Sequence, residues 1–285
     1  MKTYSTAIFD LDGTLLNSKH QVTDYTLKVI QRLSERGIKI VIATGRGINT
    51  VYRIVSRLKL REPVAVVCFN GARAAWVHQG KLHADIFDNH LTQDIVKETI
   101  SCAIARNQMV QYYTVDGTYA NATCKEHFRL AKRYHGITGT EHKFITDEYK
   151  SVIEQAMPSK LLVMCEEADV AATLDHFSQK LADRAKVFEG TPPFFIEILR
   201  RGVDKGDGVR NLCAKLGIDP QSCVGYGDGI NDIEFLQFVG LGVAMKNARP
   251  IVKQAGDEIS EFSNDLDGVA KHLETLFGLT TSSMS

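Results

Sequence analysis

The chain has 285 residues, 44% of them apolar, and its 34 basic side chains balance 34 acidic ones. That is enough chain to bury a large core and to divide into more than one domain. The charge balance gives no electrostatic ground for a nucleic-acid or membrane-surface partner, and apolar runs such as IKIVIA and PVAVVCF are too short to span a bilayer. The N-terminal stretch reaches an aspartate by residue 10, unlike a secretory signal. The six cysteines (Cys68, Cys102, Cys124, Cys165, Cys213, Cys223) show no CxxC spacing, the usage expected of reduced thiols in a cytoplasmic protein.

In chain order, YSTAIFD predicts a strand and residues 23–37 a helix. Thr23 is its N-cap, Leu27, Ile30 and Leu33 form one stripe, and Gly37 stops it. IKIVIA predicts a second strand, NTVYRIVSRL a second helix and VAVVCF a third strand. Strands apolar on both faces and separated by amphipathic helices predict a parallel sheet covered on both sides. The same alternation returns with FFIEIL, DKGDGVRNLCAKLG, SCVGYG, NDIEFLQFV and GLGVAM, closed by a helix over DLDGVAKHLETLF. Between these halves lie shorter, more polar segments, among them QMVQYYTV, GTYANAT, SKLLVMC and RAKVFEG, with helices near 92–106, 124–135 and 168–182. The chain is therefore read as α/β. A doubly wound, Rossmann-like parallel-sheet core (1–83 and 190–285) carries an inserted α+β cap (84–189), with boundaries near NGARAAW and FEGTPPF. The tail TTSSMS reads as disordered.

Ligands of an open parallel sheet bind beyond the carboxyl ends of its strands. The first strand ends at Asp10, with Asp12 in the loop behind it; the second ends in Thr44, Gly45 and Arg46. SCVGYG runs into Asp228, Asn231 and Asp232, and Lys205 follows ILRRGV at the start of a helix. Each piece alone has an ordinary reading: DLDG as a turn, DGIND as a helix N-cap, Thr44–Gly45 as a strand end, Lys205 as a solvated lysine. GVDKGDG lacks the ending of a phosphate-binding P-loop, and no histidine falls in a motif.

Together the pieces suit phosphoryl transfer. Several carboxylates can hold Mg²⁺, a lysine, a hydroxyl and an amide can bind phosphoryl oxygens, one carboxylate can attack phosphorus, and another can move the proton.

DLDGT, ATGR, the lysine ahead of a helix and GDGIND, in that order, resemble the motifs of the haloacid-dehalogenase-like phosphatase superfamily. The large insertion resembles the cap of its Cof-type branch, where FNGA (69–72) is also usual. The resemblance implies that Asp10 is the nucleophile and a Mg²⁺ ligand. It makes Asp12 the general acid/base, with its backbone carbonyl on the metal, and it places Asp228 and Asp232 on the metal side. Thr44, Gly45, Lys205 and Asn231 would bind substrate, Lys205 also restraining Asp10. The implied partner is a small phosphate ester such as a sugar phosphate, pyridoxal phosphate or FMN. A sugar-phosphate mutase and a phospho-acceptor switch are the alternatives. A dehalogenase is disfavoured, because Asp12 supplies the proton donor a phosphatase needs. Whether Arg46 reaches substrate is open at this level.

Overall fold

The computed structural model describes residues 3–190 and 192–279, so the TTSSMS tail lies outside it. The chain divides into two compact units, Met1–Phe87 with Asp204–Ser285, and Asp88–Val203.

The first unit begins with β1 (Thr6–Phe9), α1 (Asp24–Glu35), β2 (Lys39–Ala43), α2 (Ile48–Leu58) and β3 (Val64–Cys68). The expected helix signals act as read. Thr23 accepts a hydrogen bond from the Thr26 amide, and Gly37 leaves α1 with φ +82°. α1 buries Thr26, Val29, Ile30 and Leu33, while α2 buries Ile48, Val51, Val55 and Leu58. β4 (Arg73–His78) then turns back antiparallel on β3, and β5 (Lys81–Asp88) forms the sheet edge. The sequence predicted neither strand.

The second unit runs α3 (Gln93–Ala105), β6 (Met109–Thr114), β7 (Gly117–Ala120), α4 (Lys125–Thr138), β8 (His142–Phe144), α5 (Lys150–Gln155), β9 (Lys160–Met164), α6 (Val170–Leu181), β10 (Ala185–Glu189) and β11 (Phe195–Arg200). Its six strands lie in the order β10-β11-β9-β6-β7-β8. Val110, Tyr112, Leu161, Val163, Ile196 and Ile198 pack against Ile95, Val96 and Ile100 of α3 and Phe177 and Leu181 of α6. Here the structure corrects the sequence reading. FFIEIL was assigned to the core sheet, yet β11 pairs antiparallel with β10 on one side and β9 on the other. A central antiparallel strand buried on both faces has the same apolar run as a parallel core strand.

The chain then returns to the first unit as α7 (Lys205–Leu216), β12 (Cys223–Gly227), α8 (Ile233–Phe238), β13 (Leu241–Ala244), α9 (Pro250–Ala255), β14 (Glu258–Ile259) and α10 (Gly268–Phe277). The eight-stranded sheet has the order β14-β13-β12-β1-β2-β3-β4-β5. β1 pairs in parallel with β2 on one side and β12 on the other, so successive strands leave β1 in opposite directions. Such a reversal opens a crevice at the strand ends, the usual ligand position of this architecture.

These boundaries predict the outcome of excision. Replacing 88–203 by a short linker removes the second sheet entire and should leave a cooperatively melting first unit. Replacing 84–189 instead cuts β5, breaks the 2.6 Å Arg73–Asp85 ion pair and strips β11 of both partners. That protein should bind a hydrophobic dye and melt without cooperativity. Equal cooperativity of the two would contradict the assignment of β11.

Candidate active site

The crevice between β1 and β12 receives the loop that follows each. The Asp10 amide donates to the Tyr226 carbonyl (3.0 Å), which keeps the two strand ends level. Leu11, Leu15 and Leu16 are buried and anchor the turn behind Asp10. Gly13 takes φ +78°, and a Cβ there would lie 2.3 Å from Asp228 Oδ2. The turn therefore needs glycine both for its backbone conformation and for the close approach of Asp228.

Lys205 opens α7, at the helix end whose dipole disfavours a cation. Its ammonium compensates by donating to Asp10 Oδ1 (2.7 Å) and Asp232 Oδ1 (2.5 Å), and its side chain is 1% exposed. The start of α7 is seated by Gly71, where a Cβ would come within 1.9 Å of the Asp204 carbonyl oxygen. Asp232 Oδ2 accepts from the amides of Asp228 (2.9 Å) and Gly229 (2.8 Å). Asp228 Oδ1 accepts from the Thr14 hydroxyl at 2.9 Å. One carboxylate oxygen from each of Asp10, Asp228 and Asp232 falls within 4.8 Å of the others.

This crowding shapes the acidities. Burial raises the Asp10 pKa well above the carboxylate range, Asp232 and Asp228 add to the rise, and Lys205 opposes it. Burial also pushes Asp228 up to about 6, against the Thr14 hydrogen bond. For Lys205 burial pulls downward, but the charges of Asp10 and Asp232 outweigh it and hold the ammonium protonated. One lysine leaves the three carboxylates with excess negative charge, and an all-oxygen donor set of this kind suits a hard divalent cation. Both Asp232 oxygens are already engaged, so Asp10 and Asp228 have the carboxylate oxygens best placed to offer.

Asp12 stands apart from this triad. Arg46 grips its carboxylate at two points, Nε to Oδ2 (2.7 Å) and Nη2 to Oδ1 (2.5 Å), and His20 Nδ1 lies 3.2 Å from Oδ1. Partial burial would raise the Asp12 pKa, but the Arg46 hydrogen bonds and charge, helped by His20, bring it below the usual value. Arg46 thus has a partner that the sequence left undecided, and His20 adjoins the site although its spacing carried no signal. Thr44 is buried after β2, and its Oγ1 accepts from the Arg46 amide (3.1 Å), which leaves the hydroxyl proton for another acceptor. Gly45 faces Asn70, whose Oδ1 would lie 2.9 Å from a Cβ at that position. The same Oδ1 accepts from the Asn231 side-chain amide at 3.0 Å. Thr14 and Asn70 belong to the DGT and FNG stretches but were not read as site residues.

The fold and these carboxylates define a hydrolase of the haloacid-dehalogenase type. The sequence profile of the haloacid dehalogenase-like hydrolases matches residues 7–273, and the chain belongs to that family. It is 30% identical over 278 residues to the Bacillus subtilis 5-amino-6-(5-phospho-D-ribitylamino)uracil phosphatase YitU, covering 95% of this chain and 96% of that protein. It is also 30% identical over 274 residues to an Arabidopsis thaliana protein named chloroplastic endoribonuclease YBEY, where the match covers 94% of this chain but only 45% of that protein. A haloacid dehalogenase-like hydrolase structure from Bacteroides thetaiotaomicron superposes with a TM-score of 0.84 at 24% identity, covering 96% of this chain and all of that one, which shows the shared fold. Among the described residues no helix is long and apolar enough to cross a membrane.

Two predictions follow from the electrostatics. Lys205→Met leaves Asp10 and Asp232 without their cation, and removing one partner of such a buried pair costs about 3–5 kcal/mol. Urea unfolding should show that loss, and unchanged stability would mean the pair is not made. The second concerns pH. An acid whose pKa is raised by folding holds its proton longer in the native state, so the metal-free protein should lose stability as pH rises from about 4 to about 6. A divalent cation needs the deprotonated carboxylates, so Mg²⁺ should raise the melting temperature more at pH 7.5 than at pH 5. Equal shifts at both values would contradict binding at Asp10 and Asp228.

Proposed function

We propose that this chain is a Mg²⁺-dependent phosphatase of small phosphorylated metabolites, working through an aspartyl phosphate on Asp10. The observation that carries the reading is the convergence of Asp10, Asp228 and Asp232 around the Lys205 ammonium at the β1/β12 crevice. Among protein groups, Asp10 and Asp228, with the Asp12 carbonyl, would hold the metal, which when bound supplies positive charge to the phosphoryl oxygens.

The chain's own residues divide the remaining work. Lys205 favours the ionised form of Asp10 against the pull of burial and fixes its rotamer, so that one of its oxygens can attack phosphorus as the bond to the leaving oxygen breaks. The Thr44 hydroxyl, the Asn231 amide and Lys205 donate to the phosphoryl oxygens. Asp12 delivers a proton to the leaving oxygen and then takes one from the water that cleaves the aspartyl phosphate, regenerating Asp10. In the ion pair with Arg46 it is ionised, the form the second half-reaction needs. To act as the acid it must exchange Arg46 for the substrate oxygen.

The name of the B. subtilis relative supports a phosphorylated sugar-like or ribityl substrate, and sugar phosphates, pyridoxal phosphate and FMN belong in the first panel. Phosphate release from such a panel should require Mg²⁺, stop with EDTA and be inhibited by Ca²⁺, whose looser shell spoils in-line geometry. Asp10→Asn should lower turnover by several orders of magnitude. Full activity after dialysis against chelator, or an active Asp10→Asn enzyme, would sink the proposal. Isomerised sugar phosphate without free phosphate would mark a mutase instead, and a stable phosphorylated protein with no turnover would mark a switch.

A further inference from the structure

The turn after β1 is tied down by a part of the chain that carries no motif. Asn247, in the loop between β13 and α9, donates from Nδ2 to the Gly13 carbonyl (2.7 Å) and accepts the Asn264 amide at Oδ1 (3.1 Å). Asn264 in turn donates from Nδ2 to the Leu16 carbonyl at 2.9 Å. Asp265 accepts the Ser18 amide at 2.7 Å. The turn is thus bonded at residues 13, 16 and 18 by side chains from the 247–265 stretch.

We infer that Asn247 and Asn264 are positioning residues for Asp12. Of the turn's own hydrogen bonds, Leu16 to Leu11 is short (2.8 Å), while Thr14 to Leu11 (3.3 Å) and Leu15 to Asp10 (3.2 Å), which follow Gly13 directly, are long. Asp12 itself is exposed and is followed at once by Gly13, the residue with the widest backbone freedom. Leu11 is fixed on one side of Asp12 by burial. On the other side the Gly13 carbonyl is fixed by Asn247, and the Leu16 carbonyl, across the Asp12–Leu16 bridge, by Asn264. Arg46 and His20 hold the Asp12 carboxylate in the resting state. Once Asp12 leaves Arg46 for substrate only the backbone places it, and without those amides that backbone could turn on the glycine. A shift of about 1 Å in a proton-transferring group can cost up to about 10²-fold in rate. The side-chain hydrogen bonds of Lys205 run to Asp10 and Asp232 and not to either asparagine.

The inference rests on the proposed role of Asp12, and it predicts a particular kinetic signature. With 4-nitrophenyl phosphate the leaving group needs no proton, so the first half-reaction should suffer less than hydrolysis of the aspartyl phosphate, which needs Asp12 as base. Asn247→Ala and Asn264→Ala should each release about one equivalent of nitrophenolate in a burst and then turn over about tenfold more slowly than the parent. Their melting temperatures should stay close to the parent's, and the neighbouring exposed Lys246→Ala should behave as the parent. Burst and steady state falling together, with a lowered melting temperature, would show a merely structural role and overturn the inference, as would unchanged kinetics. A parent enzyme that releases no phosphate in Mg²⁺ would instead overturn the phosphatase reading itself.

Discussion

A buried ammonium shared between two carboxylates, Lys205 between Asp10 and Asp232, is the contact on which the site depends. Three carboxylates this close repel, and burial makes each harder to ionise. The chain answers with one cation, two backbone amides on Asp232 and a hydroxyl on Asp228. What remains unneutralised faces the crevice from Asp10 and Asp228. A site with that residual charge is suited to a divalent cation and a phosphoryl group, and poorly suited to standing empty.

Much of the surrounding backbone serves this one cluster. The parallel pairing of β1 with both β2 and β12 brings Asp10 and Asp228 to the same sheet edge. Gly71 lets the start of α7 come close enough to deliver Lys205, and Gly13 makes room for Asp228. Asp12 is treated differently. It rides on an exposed turn, paired with Arg46 and His20 and outside the buried carboxylate cluster.

The parts legible in the sequence are those governed by local rules. β1, β2, β3 and β12 are apolar on both faces, Thr23 and Gly37 bound α1, and the strand-end rule placed Asp10, Asp228 and Asp232 on one edge. Lys205 joins them although the strand ahead of it, β11, lies in the other sheet. β11 was misplaced because periodicity reports burial and not which sheet a strand joins. β4 and β5 escaped notice for another reason. Their turn is Gln79–Gly80, both with positive φ, in place of the Asn-Gly or Asp-Gly pair that signals such a hairpin. The partners of Asp12 and the asparagines on its turn are contacts between distant segments of side chains with no spacing of their own. Only the folded chain shows them.

The most direct test of the account is to find the covalent intermediate. The protein should be mixed with Mg²⁺ and a phosphate ester, quenched in acid within a single turnover, digested and analysed by mass spectrometry. One phosphoryl group on the peptide that contains Asp10, placed on Asp10 by fragmentation, is the predicted result. Phosphate release with the label on any other residue would contradict it.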